Sequence, residues 1–174
     1  LMQSGFVFYG GLIGGLLAVV GAGRLHKIKA AQYAASAIFL IPMIHSFGRV
    51  GCFLAGCCYG IPYDGPGAVV FPENSFALSG VSLFPVQLVE AVCLLGIALW
   101  LFVLQWGADC RYTVELYLIT YGIVRFILEY FRYDEIRGRY AGISTSQWIS
   151  LALIAAASVR LWSVRSRNRR RQGV

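Results

Sequence analysis

Polar residues in an otherwise apolar stretch offer the first chemistry in this chain. The segment HSFGRVGCFLAGCCYG, residues 45–60, contains a histidine, an arginine and three cysteines. A guanidinium at membrane depth costs about 2.5–3.5 kcal/mol even on the lenient insertion scale, so it is kept where it pairs, faces water or holds an anion. Arg49 is therefore the first candidate for function. The alternative interpretation is a buried ion pair that locks two helices together.

Other polar residues recur at helical spacing in three apolar segments. These groups are His45, Arg49 and Cys52; Gln87 and Glu90; and Arg125, Glu129 and Arg132. Residues at i, i+3, i+4 and i+7 share one face of an α-helix, so each group predicts a polar stripe. Arg49 and Arg125 directed at one interior would be able to hold a phosphate. Ion pairs, Arg125 with Glu129 and Arg49 with Glu90, are the alternative.

Composition indicates what kind of scaffold positions these stripes. The chain is 58% hydrophobic and 13% charged, with a mean hydropathy of +0.67, whereas soluble domains are about 25% charged. Stretches near the roughly 20 residues that span a bilayer recur. They predict an all-α, polytopic membrane helix bundle of about five transmembrane helices in one domain, residues 1–174. The predicted spans are 5–22, 31–55, 84–106, 112–131 and 143–163.

Basic residues in the loops predict the orientation of the bundle. Arg24, Lys27 and Lys29 follow the first span, a run of arginines lies in the tail 164–174, and the loop 61–83 has no basic residue. Because cytoplasmic loops collect Lys and Arg, the N-terminus is expected outside and the C-terminus inside. The 61–83 loop is then an irregular lobe on the outer face. The basic tail is interpreted as a topology and anionic-lipid signal, not as a nucleic-acid site.

Glycines mark the places where backbones can approach closely. Gly10, Gly11, Gly14 and Gly15 give two offset G-x-x-x-G pairs in the first span, a pattern typical of close helix packing in lipid. Further glycines, which have no side chain, recur in the stretch 48–60. That stretch is expected either to pack tightly or to bend and line a cavity.

The cysteines allow several interpretations. Cys52, Cys57 and Cys58 cluster, whereas Cys93 and Cys110 lie apart. The C-x4-C-C run lacks the C-x2-C pairs of a zinc site, so no metal or other cofactor is predicted. The cluster is either a set of small packed side chains, or a disulfide or activated thiolate beside Arg49. A disulfide would require a break of the helix near Gly56.

Four blocks of sequence together resemble the bacterial phosphatidylglycerol–prolipoprotein diacylglyceryl transferase family. They are GGLIGG at 10–15, IPMIHSFGRVGCFLAGCCYG at 41–60, FPVQLVE at 84–90 and YGIVRFILEYFR at 121–132, and the resemblance covers most of residues 1–160. It implies that Arg49 and Arg125 match the essential arginines of the family. It also implies that Gly51 and Gly60 match signature glycines, and that about two N-terminal helices of the family pattern are missing from this sequence.

The resemblance implies a function as well. The family moves a diacylglyceryl group from phosphatidylglycerol to the lipobox cysteine thiol of a preprolipoprotein, at a site open to the outer leaflet of the bacterial cytoplasmic membrane. The expected catalytic residues are Arg49, Arg125, His45 and Tyr9. The expected substrate-binding residues are Gly10, Gly11, Gly51, Cys52, Cys57, Gly60, Gln87, Glu90 and Glu129.

The chain departs from the family pattern at four positions. Tyr9 stands where the family has a histidine, Cys52 replaces an asparagine, Cys57 replaces a glutamate, and Phe84 replaces the histidine before P-x-Q-L. Tyr9 with a lowered pKa, or His45 near neutral pH, would then be the base. Two alternatives stay open: a relative that does thiol-redox or thiol-acyl chemistry through its cysteine cluster, and a non-catalytic lipid-binding membrane protein.

Overall fold

A computed structural model describes residues 14–15, 17–18, 21, 23–25, 36–107, 112–133, 139–140 and 142–172. The chain divides into two units, Leu1–Ile38 and Phe39–Val174. In the first unit the described residues up to Leu25 are helical, which agrees with a helix in the predicted span 5–22. Tyr9, Gly10, Gly11 and Cys110 lie outside the described residues.

The second unit consists mainly of helices. They are α1 (Leu40–Ala55), α2 (Val86–Gly107), α3 (Thr113–Leu128), a 3-10 helix (Glu129–Phe131) and α4 (Thr145–Gln172). In this unit α1 packs against α2, α2 against α3, and α3 against α4. Fully buried leucines such as Leu94 and Leu101 form part of the α2 core. The all-α class predicted from composition is confirmed in this part of the chain.

Two of the described helices are long and apolar enough to cross a membrane. They cover Val86–Trp106 and Thr145–Ser166, and α1 is a shorter apolar helix. Large apolar side chains on the surface, such as Leu54, Val92 and Trp162, are mostly exposed, as expected for helices that face lipid. Two predicted boundaries differ from the structure. Within the predicted span 31–55, the described residues 37–39 form a turn and α1 then covers Leu40–Ala55, and the last helix continues past 163 through most of the basic tail.

Helix α1 ends where the sequence predicts a break. Gly56 caps it with a left-handed φ of +70°, and its N–H contacts the carbonyl oxygens of Cys52 and Phe53. Glycine is the residue that adopts this conformation at little cost, so it is the usual helix terminator. The chain therefore turns sharply just before Cys57.

The lobe that joins α1 to α2 is more ordered than its composition suggests. Strands β1 (Val69–Val70) and β2 (Ser82–Leu83) pair antiparallel, over a small core of Phe71, Ala77 and Leu83. Residue Ile61 lies between two other segments: its N–H donates to Phe131 O at 3.0 Å, and its carbonyl accepts from Phe84 N at 3.0 Å. The lobe is thus hydrogen-bonded to the end of the 3-10 helix.

A second hairpin joins the 3-10 helix to α4. Strands β3 (Arg139–Tyr140) and β4 (Ile143–Ser144) pair antiparallel, and Ser144 then forms a capping box with Gln147. Gln147 N donates to Ser144 Oγ at 3.2 Å, and Ser144 N donates to Gln147 Oε1 at 3.0 Å, which satisfies two backbone donors at the helix start. The ends of α1 and α3 and the starts of α2 and α4 lie at the same end of the four helices, because Ile61 in the lobe is hydrogen-bonded to Phe131 after α3.

Candidate active site

Arg49 and Glu90 form an ion pair between α1 and α2. Arg49 Nη2 lies 2.9 Å from Glu90 Oε1, and the side chains are 13% and 1% exposed. The Arg49 guanidinium also interacts electrostatically with Tyr121 on α3. One arginine thus connects three helices at the lobe end of the bundle.

Arg125 and Glu129 form the second ion pair, at i and i+4. Arg125 Nη2 lies 2.6 Å from Glu129 Oε2, and it also donates to Ser146 Oγ at 3.1 Å. Ser144 Oγ donates to Glu129 Oε1 at 2.8 Å. The start of α4 therefore orients both members of the pair.

The two ion pairs belong to one electrostatic cluster. Glu90 and Tyr121 interact with both Arg49 and Arg125, so both arginines face the same interior. Arg132 is also buried and interacts with Arg125. Three guanidiniums meet two carboxylates, which leaves a net charge of +1 on these five side chains.

Some of the guanidinium donors are not used by the protein. Arg49 Nε and Arg125 Nη1 are buried and have no hydrogen-bond partner within the described part of the chain. A buried donor without a partner is uncommon in folded proteins and points to a missing acceptor. Together with the positive charge, these donors are suited to an anion.

A cavity of about 260 Å³ lies elsewhere in the described part of the chain. It is found between α1 and α2 and is lined by apolar residues such as Met43 and Phe102.

Gln87 and His45 lie beside the same cluster. Gln87 is 1% exposed, and its Nε2 donates to Cys57 O at 2.8 Å, so α2 holds the chain just after the α1 terminus. The His45 ring contacts the Tyr121 ring edge-on, with 5.5 Å between centroids. Its electrostatic neighbours include Arg49, Glu90 and Arg125.

The three clustered cysteines carry free thiols. The Sγ atoms of Cys52, Cys57 and Cys58 all lie within 4.8 Å of one another. The pKa of Cys58 is lowered to about 5 because the Cys52 thiol donates a hydrogen bond to it and Arg132 and Arg49 lie nearby. Burial raises the pKa of Cys57. The activated-thiolate interpretation therefore applies to Cys58.

The two signature glycines have different surroundings. A Cβ added at Gly60 would clash with the Phe84 carbonyl oxygen and would lie 2.8 Å from Phe131 O. A Cβ added at Gly51 meets no atom within 4 Å in the described part of the chain. Gly60 is therefore required where three segments meet, whereas the structure shows no steric reason for Gly51.

Sequence reasoning placed Arg132 in the stripe of Arg125 and Glu129 but missed other members of this cluster. Tyr121 lies one turn before Arg125 on the same face of α3, so helical spacing was a usable signal for it. Ser144 and Ser146 gave no such signal because they reach the cluster only through the turn before α4.

Comparison with known proteins identifies the family of this chain. The family model for prolipoprotein diacylglyceryl transferase matches residues 1–163. The chain belongs to the prolipoprotein diacylglyceryl transferase family. Membership of this family confirms the resemblance seen in the four sequence blocks.

Similar proteins occur in several bacteria. The chain is 36% identical over 154 residues to phosphatidylglycerol–prolipoprotein diacylglyceryl transferase 2 of Clostridium perfringens, a match that covers 87% of this chain and 59% of the relative. It is 37% identical over 154 residues to the corresponding transferase of Clostridium tetani, which covers 88% and 61%. The Pasteurella multocida transferase is 37% identical over 164 residues, covering 90% and 58%. The chain thus spans about three fifths of the length of these relatives.

Proposed function

We propose that this chain contains the site of a membrane transferase that moves a diacylglyceryl group from phosphatidylglycerol to the lipobox cysteine thiol of a preprolipoprotein. The observation that carries the proposal is the pair of buried, unused donors, Arg49 Nε and Arg125 Nη1, in a cluster with excess positive charge. The names of the relatives supply the reaction, and the cluster supplies a place for the anion that the reaction requires.

In the proposed reaction the two arginines bind the phosphate of phosphatidylglycerol. The acceptor thiolate forms a bond to a glycerol carbon, the bond from that carbon to the phosphate oxygen breaks, and glycerol phosphate leaves with the electron pair. Donors fixed in advance around a developing negative charge lower the barrier to such a step. Glu90 and Glu129 hold the guanidiniums in place, and Ser144 and Ser146 orient the second pair.

The other site residues are proposed on the basis of the sequence and of their place in the fold. Gln87 was predicted to bind substrate, and its bond to Cys57 O supports a positioning role for the chain after α1. His45 and Tyr9 are proposed as candidates for the base that removes the thiol proton. Gly10, Gly11 and Gly51 are proposed to line the lipid site.

The setting of the proposed site is a bundle of about five spans in the bacterial cytoplasmic membrane. We propose that the N-terminus is outside and the C-terminus is cytoplasmic, as the loop charges predict. Both helix connections at the arginine end, including the 61–83 lobe, would then face outward, where preprolipoproteins and the outer leaflet supply the substrates.

The test is transfer to a lipobox peptide in vesicles that contain phosphatidylglycerol. Arg49→Lys and Arg125→Lys should each reduce transfer by about 10²–10³-fold, because a point charge does not reproduce the planar fork of hydrogen bonds. Arg160→Lys is the matched control: Arg160 pairs with Glu115 on the distant part of α3 and is 69% exposed. Equal activity in all three variants would contradict the proposal.

The two ion pairs also favour a second candidate, a non-catalytic lipid-binding protein in which the polar stripes hold the bundle together. This candidate predicts that the native chain binds phosphatidylglycerol vesicles without transferring a diacylglyceryl group. It also predicts that Arg49→Lys lowers the stability of the bundle in proportion to any loss of lipid binding.

A further inference from the structure

The thiols of Cys52, Cys57 and Cys58 converge although their spacing in sequence does not suggest a ligand set. Cys52 lies in the last turn of α1, and the left-handed Gly56 then reverses the chain. Cys58 itself has a φ of +56°, in the region that non-glycine residues seldom adopt. Such a conformation costs of order 1–3 kcal/mol and persists where the surroundings impose it. The two left-handed residues, Gly56 and Cys58, fold the Cys57–Cys58 pair back over the end of α1.

The backbone around the three thiols is fixed from two sides. Cys57 N donates to Cys52 O at 3.0 Å, and the buried side chain of Gln87 donates to Cys57 O at 2.8 Å. The three thiols are half-buried, so an ion in solution reaches them. This is a preformed and accessible set of three soft ligands.

The dimensions of the set fit a zinc ion. Zinc binds thiolates at about 2.3 Å in tetrahedral geometry, which places the sulfur atoms about 3.8 Å apart. No pair of sulfur atoms is farther apart than 4.8 Å, so each sulfur needs to move by at most roughly half an ångström to close on the ion. Three thiolates and Zn²⁺ carry a net charge of −1. The neighbouring guanidiniums of Arg49 and Arg132 balance this charge.

The number of protein ligands is that of a catalytic zinc site and not of a structural one. Among the described residues the group has three members, with no fourth histidine, cysteine or carboxylate. Structural zinc sites use four protein ligands, whereas catalytic sites use three and leave the fourth position to water or substrate. A thiol that binds at such a position is deprotonated outright.

We propose that Cys52, Cys57 and Cys58 bind one zinc ion whose fourth position takes the acceptor thiol. The inference rests on the proposed transferase function, for which it supplies the nucleophile. The site lies beside the proposed phosphate-binding arginine, because Cys52 follows Arg49 by three residues on α1 and Cys58 interacts electrostatically with Arg49.

The proposed step balances without an oxidant or a reductant. The acceptor thiol coordinates zinc and releases its proton to the proposed base or, through it, to water. The bound sulfur then forms the carbon–sulfur bond to the glycerol carbon, while the carbon–oxygen bond to phosphate breaks and the oxygen keeps the electron pair. Zinc remains Zn²⁺ throughout. The thioether product carries no charge and is a weaker ligand than a thiolate, so it leaves the ion.

Metal content and cobalt absorption test the site independently of transfer. The purified chain in detergent should contain about one equivalent of zinc by mass spectrometry. After chelation and reloading with Co²⁺ it should show thiolate-to-cobalt charge-transfer absorption. Adding a lipobox peptide should change the cobalt spectrum, and the same peptide with serine in place of cysteine should not.

Cysteine variants locate the site. Cys52→Ser, Cys57→Ser and Cys58→Ser should each weaken zinc binding at least tenfold, and the triple variant should lose the cobalt absorption. Cys93→Ser is the matched control, since Cys93 is also a half-buried free thiol but lies outside the cluster. The cobalt spectrum of the native chain keeps the test valid if a serine variant does not fold.

The outcomes separate the two proposals. If the chain binds zinc through the three cysteines but shows no transfer, the metal site is supported and the transferase function is refuted. Full transfer by the metal-free chain, or by the triple serine variant, would overturn the zinc proposal and leave the transferase function intact. A Cys52–Cys57 or Cys52–Cys58 disulfide in the isolated protein, or equal zinc content in the triple variant, would also overturn the metal site.

Discussion

Gly60→Ala tests the junction where the lobe meets the 3-10 helix. The added Cβ would clash with the Phe84 carbonyl oxygen and lie 2.8 Å from Phe131 O. Both obstacles are backbone atoms, so relief requires the segments to separate. Overpacking of this kind costs about 1–3 kcal/mol. The separation also weakens the two hydrogen bonds of Ile61, to Phe131 O and from Phe84 N, each worth about 0.5–1.5 kcal/mol. The expected loss of stability is therefore about 2–6 kcal/mol.

The assay is reversible unfolding in mixed detergent micelles, with helix content as the signal. Gly51→Ala is the matched control, because it adds the same methyl group in α1 where no described atom lies within 4 Å. Replacing an interior helical glycine by alanine favours the helix by up to about 1 kcal/mol. We thus expect opposite signs for the two variants. Equal unfolding curves for Gly60→Ala and the native chain would refute the close approach of the three segments.

Three further predictions concern the ion pairs, the helix cap and the topology. Glu90→Gln leaves the buried Arg49 without its carboxylate, which should cost about 3–5 kcal/mol of stability. In the unfolding assay, phosphatidylglycerol should restore more of this lost stability than phosphatidylcholine does. Equal rescue by both lipids would argue against anion binding. Ser144→Ala removes a helix cap and should cost about 0.5–2 kcal/mol, with a lower rate in the transfer assay; unchanged unfolding would contradict the capping geometry. A membrane-impermeant thiol reagent added outside should label Ser79→Cys above the native background and not Ser166→Cys, and the reverse pattern would place the site at the inner leaflet.

Much of the helical scaffold and of the ion-pair network was predictable from the sequence. Apolar runs reveal helices because the bilayer fixes their length, and helical geometry fixes which residues share a face. The pairings of Arg49 with Glu90 and of Arg125 with Glu129 followed from that spacing as alternatives to a phosphate site. The break at Gly56 was predictable because glycine adopts the left-handed conformation readily.

The features that the sequence did not predict depend on contacts between residues that are distant in sequence, or on turns without a clear sequence signature. The convergence of the cysteines requires the left-handed conformation of Cys58, which no spacing rule predicts for a residue other than glycine. The hydrogen bond from Ser144 to Glu129 requires the β3–β4 hairpin. The short pairing of β1 with β2 lies in a loop rich in proline and glycine, where apolar periodicity gives no information.

In the proposed membrane setting, the length of α4 would set the depth of the arginine cluster. Its 28 residues extend about 42 Å, against a hydrocarbon thickness of about 30 Å. One end, at Ser144 and Ser146, contacts the Arg125–Glu129 pair, and the other continues as helix into the basic tail. In the proposed topology, α4 would therefore fix the distance between the headgroups of one leaflet and the site near the other leaflet. Inserting one helical turn would displace the site by about 5.4 Å relative to the lipid phosphates, so membranes of different thickness would present their headgroups to the arginines at different heights.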